Sequence, residues 1–276
     1  MKIDAHQHFW ELNRGDYGWL SPNLGAIYRD FLPDDLEPLI SRHDISGTIL
    51  VQAAPTVAET DFLLKLAERA PFIKGVVGWV DFESPNAPSE IFRLAEHPAL
   101  VGLRPMIQDI SDIDWMLSSR LKPAFNALVK ADLTFDALTL PSHLINLFQL
   151  LSDHYEMRTV IDHSSKPQIR NQQYSDWAKN IKRIASDTKA FCKLSGLVTE
   201  AGPNWTVNDL KPYVSHLLNT FGPHRLIWGS DWPVCTLAAS YDRWIEVTHN
   251  LLDHLSKEDR LAIMGGNARF AYKLDD

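Results

Sequence analysis

The sequence predicts a single (β/α)8 barrel, and three observations carry the prediction. Eight short apolar runs recur about 25 to 45 residues apart, the rhythm of repeated strand–helix units. Several of them are continuously apolar, as strands covered on both faces are. Polar residues gather at the C-terminal ends of these runs, where a barrel carries its chemistry.

The runs cover residues 2–8, 48–52, 73–80, 101–105, 133–137, 159–163, 191–194 and 226–229. Amphipathic helical patterns fall between them. Residues 34–44 place Leu36, Leu39 and Ile40 on one face, with Pro33 and two aspartates as a start signal. Residues 60–70 carry Phe62, Leu63, Leu66 and Ala67, and residues 142–154 carry Leu144, Leu147, Phe148 and Leu151, with Ser142 as the expected cap. Residues 174–188 and 207–219 keep the same period. An open doubly wound sheet is the alternative, but it announces itself with a glycine-rich turn after the first strand. Here that turn reads His6-Gln7-His8-Phe9-Trp10. No internal repeat or Gly/Ser linker interrupts the pattern, so one domain over 276 residues is expected.

Hydrophobic residues make up 45 % of the chain, enough for a large core. A formal net charge of −8 argues against a nucleic-acid or anionic-membrane partner. Cys192 and Cys235 form no disulfide framework, which points to a reducing, cytoplasmic setting. No signal peptide is recognised, and no apolar run approaches the roughly 18 residues of a membrane span. The nine tryptophans are expected mostly in the core, with some lining a pocket.

In a strand over residues 3–8, alternation places His6 and His8 on one face and Gln7 on the other. Two imidazoles so spaced can grip one divalent metal or flank one water. His163 closes the sixth run as a third imidazole or a buried histidine bonded to backbone. Asp231, after Gly229 and Ser230, suits a metal ligand, a general base or a helix N-cap, and spacing leaves all three open. Arg104 and Lys166 put cations at the mouth of an acidic protein, suited to a carbonyl or developing oxyanion unless Asp136 or Asp162 claims them. Cys235 has no base spaced to serve it and reads as a small buried hydrophobe.

Taken together, Asp4-Ala5-His6-Gln7-His8-Phe9-Trp10, Gly102-Leu103-Arg104-Pro105, Asp162-His163-Ser164-Ser165-Lys166-Pro167, Lys193-Leu194-Ser195-Gly196-Leu197, Trp228-Gly229-Ser230-Asp231-Trp232-Pro233 and Gly266-Asn267-Ala268-Arg269-Phe270 resemble the amidohydrolase superfamily. The likeness is to its amidohydrolase 2 branch, and within it to the sugar-acid lactonases of the L-fucono- and L-rhamnono-lactonase type. It spans nearly the whole chain. It implies a barrel with His6, His8, His163 and Asp231 around the reaction centre, and hydrolysis of a five- or six-membered sugar lactone. Binuclear members carry a bridging Lys or Glu on the fourth strand and His on the fifth, whereas this chain has Arg104 and Asp136. That leaves room for at most one divalent metal, such as zinc.

The expected mechanism has Asp231 take a proton from water, with Arg104, His163 or the metal stabilising the oxyanion. Trp10, Trp79 and Trp232 are expected to stack against the sugar, and Lys166, Trp19, Asn204 and Trp205 to read hydroxyls. The alternatives are a metal-dependent decarboxylase of the same barrel branch and a barrel that only binds a sugar acid.

Overall fold

The computed structural model describes residues 1–274. Eight parallel strands, β1 (Lys2–Gln7), β2 (Ile45–Val51), β3 (Ile73–Gly78), β4 (Leu100–Leu103), β5 (Thr134–Ala137), β6 (Thr159–Ile161), β7 (Phe191–Leu194) and β8 (Leu226–Trp228), pair in sequence order. Beyond β8 the chain turns back onto β1. Asp231 N–H donates to His6 O and His8 N–H to Trp232 O, each at 2.7 Å, which closes the barrel. The helices are α1 (Pro33–Arg42), α2 (Val57–Arg69), α3 (Ala87–Ala95), α4 (Lys122–Lys130), α5 (Leu144–Asp153), α6 (Ser175–Asp187), α7 (Leu197–Ala201), α8 (Val207–Phe221), α9 (Tyr241–Leu251), α10 (Lys257–Leu261) and α11 (Asn267–Tyr272).

All eight expected strands form, and most end earlier than their apolar runs. Trp79, Arg104 and His163 therefore lie just past a strand, on the loops that build the barrel mouth. The five expected helices correspond to α1, α2, α5, α6 and α8. Ser142 is not a cap. It lies in the 3-10 turn Pro141–His143, where His143 Nδ1 accepts from Leu140 N–H at 3.0 Å. Among the described residues, no helix is long and apolar enough to cross a membrane.

Two apolar layers hold the barrel. One lies between strands and helices. The other fills the barrel itself, where Ile3, Ala5, Ile49, Val51, Val77, Val160 and Ile227 meet Ala268, Ala271 and Tyr272 of α11. The last helix thus packs into the barrel, at the end opposite the mouth, where Thr134 Oγ1 donates to Ala271 O at 2.8 Å.

Between Asp4 and Gln7, β1 carries one more residue than β2. Such a bulge re-aims the side chains that follow it. His6 and His8 face the centre, while Gln7 donates its amide to Thr48 Oγ1 at 3.1 Å. Asp4 stitches the end together: its carboxylate accepts from Ser230 N–H (2.8 Å), His6 N–H (3.2 Å) and the Tyr241 hydroxyl (3.2 Å). Burial pushes the Asp4 carboxyl up to about 6, against those donors.

Candidate active site

One carboxylate oxygen gathers the histidines. Asp231 Oδ1 lies 3.3 Å from His8 Nε2, 3.7 Å from His6 Nε2 and 3.9 Å from His163 Nε2. His6, His163 and Asp231 each offer a ligand atom within 4.8 Å of the others. The rear ring nitrogens are held from behind. His8 Nδ1 donates to Val51 O at 2.8 Å, and its Nε2 faces Asp231 Oδ1. His163 Nδ1 shares a hydrogen bond of 2.9 Å with Ser195 Oγ. Two glycines allow this closeness. A Cβ on Gly229 would lie 2.7 Å from His6 Cβ, and one on Gly196, at φ +67°, 2.6 Å from His163 Nδ1.

His163 begins an unusual turn. Residues His163, Ser164, Ser165 and Lys166 have φ of 50°, 54°, 56° and 48°, four successive left-handed side-chain-bearing residues. Each such residue costs about 1–2 kcal/mol. Buried hydrogen bonds hold the turn: Ser164 Oγ donates to Lys193 O (2.9 Å), Ser165 Oγ bonds Thr139 Oγ1 (2.8 Å), and Trp177 Nε1 donates to Ser164 O (2.8 Å). The result brings His163 and Lys166 together on the wall of one cavity.

Arg104 is buried beside the histidines. Its Nη1 lies 3.2 Å from Asp162 Oδ2 and 3.4 Å from His6 Nε2, and its Nη2 donates to Gln52 O. Asp162 is thus Arg104's counterion. Asp136 is not at the mouth. It sits deeper, bonded to Lys193 Nζ at 2.6 Å and to the Tyr272 hydroxyl at 2.7 Å. Lys193 in turn lies 2.8 Å from Asp162 Oδ1 and 3.3 Å from His6 Nδ1.

Above this cluster lies a cavity of about 230 Å³. His8, His163, Asp231 and Arg104 line it together with Trp19, Ala53, Met106, Gln108, Asp109, Leu138, Lys166 and Val234. Three expected stacking residues lie outside this wall. Trp10 is fully buried, with its Nε1 donating to Arg29 O at 2.8 Å and its ring packed on Tyr17, Trp19 and Phe31. Trp232 packs edge-on against Phe9 and Phe31. Trp79 is clamped through its backbone by Thr60 Oγ1. The indole at the cavity is that of Trp19, held by Nε1 donating to Ala53 O at 2.7 Å. Asn204 and Trp205 line a separate surface cleft with Arg170. Cys192 and Cys235 are free and buried, and burial pushes both thiols up, Cys192 to about 12.

Charge at the centre is settled by this packing. Burial alone would raise Asp231, yet His163, His8 and His6 draw its carboxyl well below the usual range. Burial lowers His163 to about 4, so it is neutral at pH 7. Burial also holds His6 below its ordinary value. At neutral pH His163 is a neutral imidazole beside the ionised Asp231 carboxylate. The acid limb of kcat/KM is therefore expected near pH 4, where His163 gains a proton, with a plateau through pH 7. A pH–rate profile checks this; a limb between 6 and 7 would contradict it. Stability follows with the same sign. A folded pKa below the unfolded value of about 6.5 for histidine means His163 adds stability fully above that pH and loses it as pH falls toward 4.

Two full-length relatives are named L-fucono-1,5-lactonase. One, from Burkholderia ambifaria, is 43 % identical over 99 % of this chain and 96 % of its own length. The other, from Burkholderia multivorans, is 36 % identical over 100 % of this chain and 97 % of its own. A crystal structure of an amidohydrolase from Burkholderia multivorans with bound zinc superposes over the whole of both chains with a TM-score of 0.92 at 35 % identity. The family model described as Amidohydrolase matches residues 3–274, from the first residues of β1 past the end of α11. With this site at the mouth of this barrel, and the match running its full length, the chain belongs to the Amidohydrolase family.

Proposed function

We infer that the protein hydrolyses a sugar lactone, with an L-fucono-1,5-lactone type of substrate first in line. The observation that carries the reading is the full-length match to two L-fucono-1,5-lactonases. The geometry supports it. A cavity of about 230 Å³ falls below the 300–1,000 Å³ of drug-sized ligand pockets and suits a single sugar ring.

Asp231, ionised and facing the cavity, takes a proton from a water beside His8 and His163. The water attacks the lactone carbonyl. The Arg104 guanidinium at the cavity wall meets the charge that develops on the carbonyl oxygen. The ring oxygen leaves, and the protonated Asp231 returns its proton there, serving as base and then as acid. Ala53, Met106, Leu138, Val234 and Trp19 offer apolar surface, while Gln108, Asp109 and Lys166 offer polar groups for hydroxyls.

The donor set fits one divalent ion of the zinc type: imidazoles with rear nitrogens engaged, and an ionised carboxylate. His6, His163 and Asp231 would hold it, with His8 beside them. When bound, such an ion polarises a carbonyl and acidifies water. A cytoplasmic location is supported by the two unpaired, buried cysteines.

The test is proton release by purified protein against a panel of sugar 1,4- and 1,5-lactones, with and without a strong chelator. Fast hydrolysis of one stereochemical series is expected. Loss on chelation would make the metal a working part of the site. Silence across the panel would overturn the lactonase reading, and CO2 release from an aromatic acid would replace it with a decarboxylase.

A further inference from the structure

We propose that Tyr272, Asp136 and Lys193 form a buried positioning relay that runs from the last helix, through Asp162, to His6 and Arg104. Tyr272 on α11 donates its hydroxyl to Asp136 Oδ2 at 2.7 Å. The same oxygen accepts from Lys193 Nζ at 2.6 Å. Lys193 Nζ pairs with Asp162 Oδ1 at 2.8 Å and approaches His6 Nδ1 at 3.3 Å. Asp162 then divides between the two working groups, with Oδ1 3.4 Å from His6 Nδ1 and Oδ2 3.2 Å from Arg104 Nη1.

Lys193, Asp136 and Asp162 are fully buried, and none lines the cavity. A buried ion pair is a weak source of stability, because apolar side chains of equal volume often do as well. A linked set of charges that ends on two groups at the reaction centre has a different use: it fixes where they point. Lys193 holds Asp162 from one side while Arg104 holds it from the other. Without the relay, Asp162 is free to follow Arg104, and His6 loses its rear contact.

The relay rests on the lactonase reading for its turnover readout, so the experiment carries a second one. Tyr272→Phe and Asp136→Asn, singly and together, are assayed for kcat and KM on the best lactone and for thermal midpoint. The imidazole 15N shifts of His6 are read in histidine-labelled protein. Removing such outer partners is typically worth about 10–100-fold in activity. Each variant is expected to lose about tenfold in kcat with KM within about twofold, and the His6 resonances to move. The pair together should lose no more than Asp136→Asn alone, since both break one chain. A kcat within about twofold of wild type overturns the relay, whatever happens to the midpoint. If wild type hydrolyses no lactone, the lactonase reading fails, and His6 then decides: shifted resonances uphold the relay, and unmoved ones overturn it.

Discussion

Asp231→Asn should lower kcat/KM by about 10²- to 10⁴-fold and leave the fold intact, the range attributed to a positioned proton-transfer group. The substitution is nearly isosteric and removes the carboxylate's charge together with its ability to take a proton. The backbone favours the test. Asp231 sits at φ +59°, a left-handed position that Asn tolerates better than most side chains. Its N–H bond to His6 O, which helps close the barrel, is kept. Far-ultraviolet circular dichroism should match wild type, and the proton-release assay should sit near its blank. Activity above a few per cent of wild type in a folded variant would remove Asp231 from the role of base.

Arg104→Met should lose in two ways at once. One preorganised donor to an oxyanion is worth about 2.7–4 kcal/mol, so kcat is expected to fall by about 10²- to 10³-fold. The same change takes a cation from Asp162, which is fully buried. Breaking a buried pair costs about 3–5 kcal/mol, and the lower end applies here because Lys193 still holds Asp162 at 2.8 Å. Arg104→Lys keeps the charge and loses the fork that reaches both Asp162 and Gln52, so it should fall between. Kinetics and urea unfolding separate the two effects. A variant that is less stable yet turns over normally would confine Arg104 to structure.

The architecture was legible because it rests on local signals: apolar runs, their spacing, and polar residues at their ends. His6, His8, His163 and Asp231 were legible for the same reason, since each closes or follows a strand and a barrel brings strand ends together. The bulge that aims the first two was not, since it appears only in the register of β1 against β2. Lys193 lies within the run Phe191–Leu194, where alternation assigns a face but no partner. Its counterion Asp136 lies 57 residues away. The tryptophans mislead for a related reason. Trp10 and Trp232 flank the histidines and Asp231 in sequence, yet the loop that follows β1 folds its aromatics onto one another and leaves Trp19 at the cavity. An indole buries large apolar area wherever it lands, so position beside a ligand says little about which way it faces.

The left-handed turn from His163 to Lys166 has an evolutionary consequence. Glycine relieves such a backbone at every one of these positions, but that relief is set against the buried bonds that hold the turn. Glycine would delete the hydroxyls of Ser164 and Ser165 that anchor the turn, and with them the aim of His163. At Ser164 and Ser165 the strain and the anchors that offset it therefore belong to the same residues, and neither can be removed alone. A library screened only for heat tolerance should therefore keep these two serines rather than enrich glycine there.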